Sequence, residues 1–422
     1  MKWISLIVLA ALIAGLIAGA LVRAYAPGLT GAAEVIESFG GLWLNTLRMT
    51  VVPLVVSLLI TGIGSVADAA KTGGLVGRAV LLFTTLIFFA ALFGIAATEG
   101  WLALWPVERA AAEAFVGSAG ADAVEIREPP TFVSWLQGLA PANPVAAAAE
   151  NNILQLVVFS VFFGFAATQL PPHMRGRVIE FFRAVSEAMV IVVRWILLAG
   201  PIGVFGLSIG VGLQAGLGAA GTLAHYVVVV AGVTAASTVL AWLIAITLGR
   251  QPVGRFTNAA IPVWAIAAST QSSLASLPAM LHAALGPLRI QPHIADVVLP
   301  LAVAVFRFTS PVANLAVCFF IAHLYGIDPT VLQMASAVVV AYAVSIASVG
   351  LPGQVSFIAS IAPICLALGV PTDLLGILIA VEVIPDIFRT LGNTTADMAA
   401  TSILARGAPR EDVTRAGAAD AA

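Results

Sequence analysis

Long apolar stretches separated by short polar ones dominate the hydrophobic pattern of this chain. A helix needs about 20 apolar residues to cross a bilayer, and stretches of that length recur from the N-terminus to near the C-terminus. The predicted membrane-spanning helices are eight, at 3–24, 42–66, 76–104, 149–169, 186–213, 222–249, 294–324 and 371–404. The chain is therefore predicted to be an all-α membrane protein.

Two further apolar stretches, 255–287 and 331–367, are interrupted near the middle by small and polar residues. An apolar, polar, apolar succession of this length is typical of a re-entrant hairpin, in which two half-helices meet at a non-helical tip. We name these stretches hairpin 1 (255–287) and hairpin 2 (331–367). Broken segments in matching parts of a membrane chain indicate the binding site of a transporter.

Charged and amide side chains form a stripe along the last apolar stretch. Glu382, Asp386, Arg389, Asn393 and Asp397 follow one another at intervals of 4, 3, 4 and 4 residues, which keeps them on one side of a helix. Because charge is costly at the centre of a bilayer, such side chains face the protein interior and mark the path of a substrate or ion. The stripe indicates a receptor for a small zwitterion or dicarboxylate.

Composition agrees with a membrane protein and changes little else. The 422 residues are 60% hydrophobic and 9% charged, whereas soluble domains are about 25% charged, so no soluble domain is expected. The net charge of -2 gives no sign of nucleic-acid binding. Cys318 and Cys365 lie in apolar runs and are interpreted as packing residues. The distribution of Lys and Arg predicts a cytoplasmic N-terminus, an outer loop at 105–148 and a disordered cytoplasmic tail at 406–422.

Short motifs occur in a fixed order along nearly the whole chain. The last helix carries D-x-x-R-T-x-x-N-x-x-x-D from Asp386 to Asp397. The others are N-P…L-Q-x-x-x-F-x-x-x-F-G-x-A (143–166), P-I-G-V-F (from 201), S-S-x-x-S-L-P (272–278), L-P-L (299–301) and G-x-P-G (350–353). In order and spacing this set resembles the glutamate transporter family, the dicarboxylate/amino acid:cation symporters.

The resemblance implies a glutamate-transporter-like elevator fold, with eight transmembrane helices and two re-entrant hairpins, in a homotrimer. Residues 1–250 would supply mainly scaffold and trimerisation helices, with the third helix, 76–104, joining the transport domain. Residues 251–405 would form the core of that domain, in which hairpin 1 enters from the cytoplasm and hairpin 2 acts as an outer gate. The resemblance also implies an acidic amino acid as substrate, lipid contacts, no cofactor, and the inner membrane of a prokaryote.

The resemblance assigns substrate contacts to the stripe. Arg389 would bind the side-chain carboxylate of aspartate or glutamate, which suits a permanently charged, bidentate guanidinium. Asp386 would hold the substrate amino group, and Thr390 and Asn393 would supply neutral hydrogen bonds to the amino-acid end. The alternative for Arg389 is an internal ion pair with Asp386 or Glu382, and both readings can hold because a substrate can replace the partner.

Further substrate contacts are expected from the hairpin tips, because backbone N–H groups at helix N-termini bind anions. Ser273 in hairpin 1, and the backbone around Gly350 and Gly353 in hairpin 2, are the candidates for the main-chain carboxylate. Ser310 aligns with a threonine that contacts the substrate side chain in the family. For the serines, packing of small residues between helices is the alternative.

The resemblance fails at the positions that bind sodium in the family. The seventh helix of the family carries N-M-D-G-T, and the aligned residues here are Phe306, Arg307, Phe308, Thr309 and Ser310. Hard cations need oxygen ligands, and phenylalanine supplies none. Three further oxygen ligands of the third helix are also replaced; the aligned residues are Phe83, Leu86 and Ile87. We therefore predict no metal site.

Arg307 lies between two of the replaced ligands, and an arginine at membrane depth needs a partner. Asp397, which belongs to a sodium site in the family, is the expected partner, with Asp386 and Glu382 as alternatives. We hypothesise that the guanidinium takes the place of the positive charge of a bound cation. The alternative is that Arg307 extends to an aqueous edge of the membrane.

The sequence thus predicts a secondary transporter for an acidic amino acid that works without sodium. Transport would be uncoupled, or coupled to protons through Glu382 or Asp386. Two alternatives within transport are a C4-dicarboxylate carrier, against which Asp386 argues by charge repulsion, and a sodium-coupled symporter with altered sites. An enzyme is not predicted, because no serine is paired with His or Lys at membrane depth. A channel or a binding-only sensor is the remaining class.

Overall fold

The structure is a computed structural model that describes residues 2–71, 74–117, 132–216, 218–347 and 353–406. In these ranges all regular structure is helical. The first ten α-helices are α1 (Lys2–Tyr25), α2 (Thr30–Arg48), α3 (Val51–Lys71), α4 (Gly74–Leu104), α5 (Arg109–Gly117), α6 (Phe132–Gln137), α7 (Pro144–Ala149), α8 (Ile153–Thr168), α9 (Pro172–Leu198) and α10 (Gly200–Ala215). The others are α11 (Gly218–Thr247), α12 (Val253–Thr270), α13 (Ser273–Leu285), α14 (Pro292–Val305), α15 (Thr309–Tyr325), α16 (Val331–Ala347), α17 (Gly353–Leu368), α18 (Leu375–Leu378) and α19 (Val383–Leu404).

Several of these helices are long and apolar enough to cross a bilayer. Within the described chain there are five such segments, or six if α9 and α10 form one bent span. The five are Leu6–Tyr25, Pro27–Gly64, Gly74–Leu104, Gly218–Thr247 and Pro292–Tyr325. The chain is thus a multi-pass membrane protein, while the full set of eight spans and two hairpins stays a prediction. The predicted disordered tail lies, from residue 407 onward, outside the described residues.

Prolines interrupt two stretches that the pattern predicted as continuous helices. The stretch 42–66 is divided between α2 and α3, and Pro53 in the first turn of α3 has no N–H for the carbonyl of Met49. The stretch 186–213 bends by 59° between α9 and α10, with Pro201 in the first turn of α10. Regular helical hydrogen bonding is therefore interrupted within both predicted stretches, although 42–66 lies almost wholly within the single candidate span Pro27–Gly64.

The stretch 294–324, also predicted to be one helix, is broken without a proline at the break. α14 ends at Val305 and α15 begins at Thr309, and Phe306 between them has φ -101° and ψ 89°. The N–H of Thr309 donates to the side chain of Asn393 on α19 instead of to a carbonyl of its own helix. A tertiary contact therefore replaces the helical hydrogen bond, which local sequence does not reveal.

Hairpin 1 and hairpin 2 are each represented by two helices that pack against each other. In hairpin 1, α12 and α13 meet at Gln271, which has the left-handed φ of 53°. The hydroxyl of Ser272 accepts the N–H of Ala275 at 3.2 Å and caps α13. In hairpin 2, α16 packs on α17, and their connection at 348–352 lies outside the described residues.

The stripe-bearing helix α19 lies at the centre of one group of helices. It packs on α4 and on α11 to α15, whereas α1 and α2 pack on α10, and α3 packs on α8 and α9. α11 belongs by sequence to the range 1–250, yet its contacts are with α19, α15 and α4. α4 and α15 approach closely, since a Cβ on Gly94 would lie 2.8 Å from Cα of Val312.

Candidate functional site

Arg389 lies at the centre of a buried hydrogen-bonded cluster on α19. Its Nη1 donates to Oδ1 of Asn314 on α15 at 2.9 Å, and its Nη2 lies 3.0 Å from Oε1 of Glu382. The hydroxyl of Tyr226 on α11 donates to Oε2 of Glu382 at 3.3 Å. All four side chains are buried. The guanidinium is therefore held by an internal carboxylate, which is the pairing that a substrate carboxylate would have to replace.

Asn393 follows Arg389 by one helical turn and is held from α15. Its Oδ1 accepts the backbone N–H of Thr309 at 2.9 Å, and the Thr309 hydroxyl lies 2.9 Å from the same oxygen and from the carbonyl oxygen of Arg389. The hydroxyl of Thr390 donates to the carbonyl of Asp386 at 3.0 Å. Three of the predicted substrate-binding residues thus lie on adjacent turns with defined orientations.

Asp386 and Arg307 are both partly exposed, in contrast to Glu382. Their opposite charges act on each other, and the positive charge of Arg389 also acts on Asp386. Asp386 is thus a partly exposed carboxylate near a buried arginine, while Glu382 is buried in an internal pair with Arg389. The binding of a substrate amino group by Asp386 stays a prediction.

The tip of hairpin 1 contacts the start of the stripe. Nε2 of Gln271 donates to the carbonyl oxygen of Val383 at 3.0 Å. Ser273 lies in the first turn of α13, where backbone N–H groups lack helical partners. Ser310 lies in the first turn of α15, and its N–H donates to the carbonyl oxygen of Arg307 at 3.1 Å. Gly353 is the first residue of α17, and Gly350 lies outside the described residues.

Three of the residues aligned with sodium ligands are phenylalanines whose rings lie close together. The rings of Phe83 on α4 and Phe306 stack with centroids 4.6 Å apart and planes 12° from parallel. The ring of Phe308 lies 6.0 Å from that of Phe306. Leu86 and Ile87 are buried on the same helix as Phe83. Among the described residues, no group of three or more His, Cys, Asp and Glu side chains could hold a metal ion.

Comparison with known proteins accounts for nearly the whole length of the chain. The profile of the Sodium:dicarboxylate symporter family matches residues 4–407. The chain belongs to this family. It is accordingly a transporter and not an enzyme.

Several relatives of this chain carry names that refer to amino acids. It is 27% identical over 398 residues to the "Proton/sodium-glutamate symport protein" of Bacillus caldotenax, covering 93% of this chain and 92% of the relative. It is 26% identical over 399 residues to the "Proton/glutamate-aspartate symporter" of Escherichia coli (strain K12), covering 88% and 85%. It is 27% identical over 436 residues to the human "Neutral amino acid transporter B(0)", covering 94% and 79%.

Asp397, at the end of the stripe, is a fully buried carboxylate whose oxygens lack hydrogen-bond donors among the described residues. The positive charge of Arg307 acts on it through space. Compensation of the charge of Asp397 by Arg307, through a direct ion pair, stays a prediction.

The sequence analysis missed Asn314, which accepts a hydrogen bond from Arg389, and Tyr226, which donates one to Glu382. It also gave Thr309 no role. Asn314 could have been found, because it is the only amide or charged residue in the run 311–322. Tyr226 lies in an apolar helix 156 positions before Glu382, and no local pattern connects the two. Thr309 appeared only as a departure from the family motif, and its contacts with α19 required the structure.

Proposed function

We propose that this protein is a secondary transporter for an acidic amino acid, aspartate or glutamate, that works without sodium coupling. The observation that carries the proposal is the contrast within one site. A buried arginine stands beside an open carboxylate, while the positions aligned with cation ligands hold stacked phenyl rings. Two of the relatives described above are named for glutamate or aspartate, which supports the same class of substrate.

The surroundings of Arg389 favour a substrate with two acidic groups and one amino group. Its guanidinium would bind one substrate carboxylate through two parallel hydrogen bonds, the bidentate geometry of arginine–carboxylate pairs. Asp386 would attract an ammonium group, which a plain dicarboxylate lacks. Asn393 and Thr390, with Ser310 and the N-termini at Ser273 and around Gly350 and Gly353, would complete the contacts.

Sodium independence is supported by what fills the aligned positions. Phe83, Phe306 and Phe308 are each 2% exposed or less, and they exclude both oxygen ligands and the space for a hydrated ion. Arg307 contributes a permanent positive charge close to Asp386 and Asp397. We propose that this charge does what a bound cation would do, namely neutralise the acids when the site crosses the membrane.

Proton coupling follows from the internal pair of Arg389. When a substrate carboxylate takes Nη2 of Arg389, Glu382 loses the cation that lies 3.0 Å from it. A buried carboxylate without a counter-ion is costly, so Glu382 would bind one proton as the substrate enters. Tyr226, Asp386 and Arg389 are the charged or titratable groups whose influence on Glu382 would set that step.

We further propose an elevator movement within a homotrimer of the inner membrane of a prokaryote. The moving unit would contain the helices that pack around α19, namely α4 and α11 to α15, together with α16 and α17 of hairpin 2. This assignment moves α11 from the scaffold range 1–250 to the transport domain. The scaffold would then consist of α1 to α3 and α8 to α10.

Uptake by purified protein in liposomes tests the proposal. Labelled aspartate is offered with sodium, potassium or choline outside, at equal and at unequal pH across the membrane. We expect uptake that is the same with each cation and that increases when the outside is more acidic. Excess glutamate should compete, whereas succinate and glutamine should compete weakly.

The possible contrary results point to different corrections. A steep dependence on sodium would mean that cations bind at altered positions. Equal competition by succinate would favour a C4-dicarboxylate carrier, and equal competition by glutamine would favour a neutral substrate. Uptake that does not change with a pH gradient would favour uncoupled transport.

A further inference from the structure

Thr309 occupies a junction between two helices that the proposed transport mechanism does not explain. It is the first residue of α15, so its N–H has no helical acceptor. That N–H and the Thr309 hydroxyl both lie 2.9 Å from Oδ1 of Asn393, 84 positions away, and the hydroxyl also lies 2.9 Å from the carbonyl of Arg389. Thr309 is 0% exposed. Both the backbone N–H and the hydroxyl of Thr309 are therefore directed at α19.

These contacts decide which end of the Asn393 amide faces a ligand. An amide group has an acceptor oxygen on one side and two N–H donors on the other. Because the oxygen is bound to Thr309, only the N–H donors remain available on the opposite side. Asn393 can then donate hydrogen bonds to a carboxylate or a carbonyl from that side.

Gly392 provides the space that Thr309 needs. A Cβ on Gly392 would lie 2.4 Å from Cγ2 of Thr309 and 2.9 Å from Oγ1 of Thr238. Real side chains do not approach so closely, so the methyl group of Thr309 is accommodated by the missing side chain at 392. The aligned family motif has glycine where this chain has Thr309, so the contact is a feature of this chain.

We propose that Thr309 is a positioning residue that fixes Asn393 as a hydrogen-bond donor to the main-chain carboxylate of the substrate, with Gly392 as its steric counterpart. The inference rests on the proposed function in one respect, namely that an amino acid binds at Asn393. Thr309 would then contribute to specificity for a carboxylate at this end of the site without contacting the substrate.

Replacement of the hydroxyl tests the proposal. Thr309→Val keeps the shape and removes the hydroxyl, and we expect the KM for aspartate to rise about tenfold, the typical effect of one lost hydrogen bond, with kcat changed less than about twofold. Thr309→Ser restores the hydroxyl and should recover most of the affinity. The matched control is Thr234→Val, because the Thr234 hydroxyl is equally buried but donates within its own helix.

A second measurement separates positioning from general damage. β-Alanine is aspartate without the main-chain carboxylate, so its inhibition constant should not depend on Asn393. The ratio of this constant to the KM for aspartate should fall about tenfold in Thr309→Val, because only aspartate loses a contact. A variant that is merely less well folded would lose affinity for both compounds equally and leave the ratio unchanged.

The steric part has its own test. Gly392→Ala should impair aspartate uptake, and Thr309→Ser, which removes Cγ2, should partly restore uptake in the double variant. An unchanged ratio in Thr309→Val, or no recovery in Thr309→Ser, would overturn the inference while leaving the proposed function intact. If the wild-type protein binds no acidic amino acid, the proposed function is wrong and the inference falls with it.

Discussion

The two ends of the polar stripe on α19 have opposite surroundings. At one end, Glu382, Arg389 and Asn393 form hydrogen bonds with residues of α11 and α15. Arg389 and Glu382 also form an ion pair. At the other end, the oxygens of Asp397 accept no hydrogen bond from a described residue, and the aligned ligand positions hold stacked rings. Polar groups are thus retained where a substrate would bind and removed where a cation would bind, so the two binding events can be altered separately.

The largest effect is expected at the substrate end. Arg389→Lys removes the planar, two-pronged guanidinium and its bond to Asn314, so aspartate binding should weaken by at least about 100-fold. Isothermal titration of purified protein measures this directly. Arg183→Lys, on the exposed surface of α9, is the matched control and should bind as the wild type does. Binding within tenfold of the wild type would show that Arg389 serves only the internal pair.

Arg307→Met tests the other end of the stripe. The charge of Arg307 acts on both Asp386 and Asp397, and removal of one member of a buried charge group costs about 3–5 kcal/mol. We expect a clear fall in the unfolding temperature, and Arg307→Lys should recover part of it. If sodium binding stabilises the wild type and Arg307→Met leaves that effect unaltered, the guanidinium does not stand in for a cation.

Glu382→Gln tests whether Glu382 is the group that binds a proton during transport. At low pH, Glu382 gains its proton readily as the substrate enters, so wild-type uptake should decrease as the pH rises, by up to about tenfold per unit for a one-proton step. Glutamine carries no titratable proton, so uptake by Glu382→Gln should be nearly the same at pH 6 and pH 8. Glu180→Gln, exposed on α9, should keep the wild-type profile. A pH dependence that survives in Glu382→Gln would exclude Glu382 as the proton carrier.

The smallest effect is expected from the aromatic cluster. Phe306→Leu loses the stacked contact with Phe83 and part of the buried area, which costs about 1–1.5 kcal/mol. Thermal unfolding should show a decrease of a few degrees, while aspartate uptake stays independent of sodium. Phe162→Leu, at a side chain that is 71% exposed, is the control. A clear loss of aspartate uptake with an unfolding temperature close to that of the wild type would mean that the rings take part in transport itself.

Much of the stripe could be predicted because its cause is local. The spacing of Asp386, Arg389 and Asn393 follows helical periodicity, and the break at Gln271 follows a cluster of small polar residues. The break before Thr309 has its partner 84 positions away. The partners of Arg389 on other helices likewise depend on packing, which hydrophobic periodicity does not encode.

The substitutions at the sodium positions were visible in the sequence, but their relation to one another was not. Alignment indicated that Phe83 and Phe306 each replace an oxygen ligand. Only the structure shows that the two rings stack directly on each other. A list of replaced ligands could not distinguish an empty site from a filled one.

The stack of Phe83 on Phe306 also limits how this lineage can change. Asparagine at 306 alone would place an unpaired amide against a phenyl ring and leave a void, and a polar residue at 83 alone would do the same from the other side. Each first step towards a cation site is therefore harmful until the second has occurred. Replacement of the aromatic pair by polar residues is therefore expected to need both substitutions together.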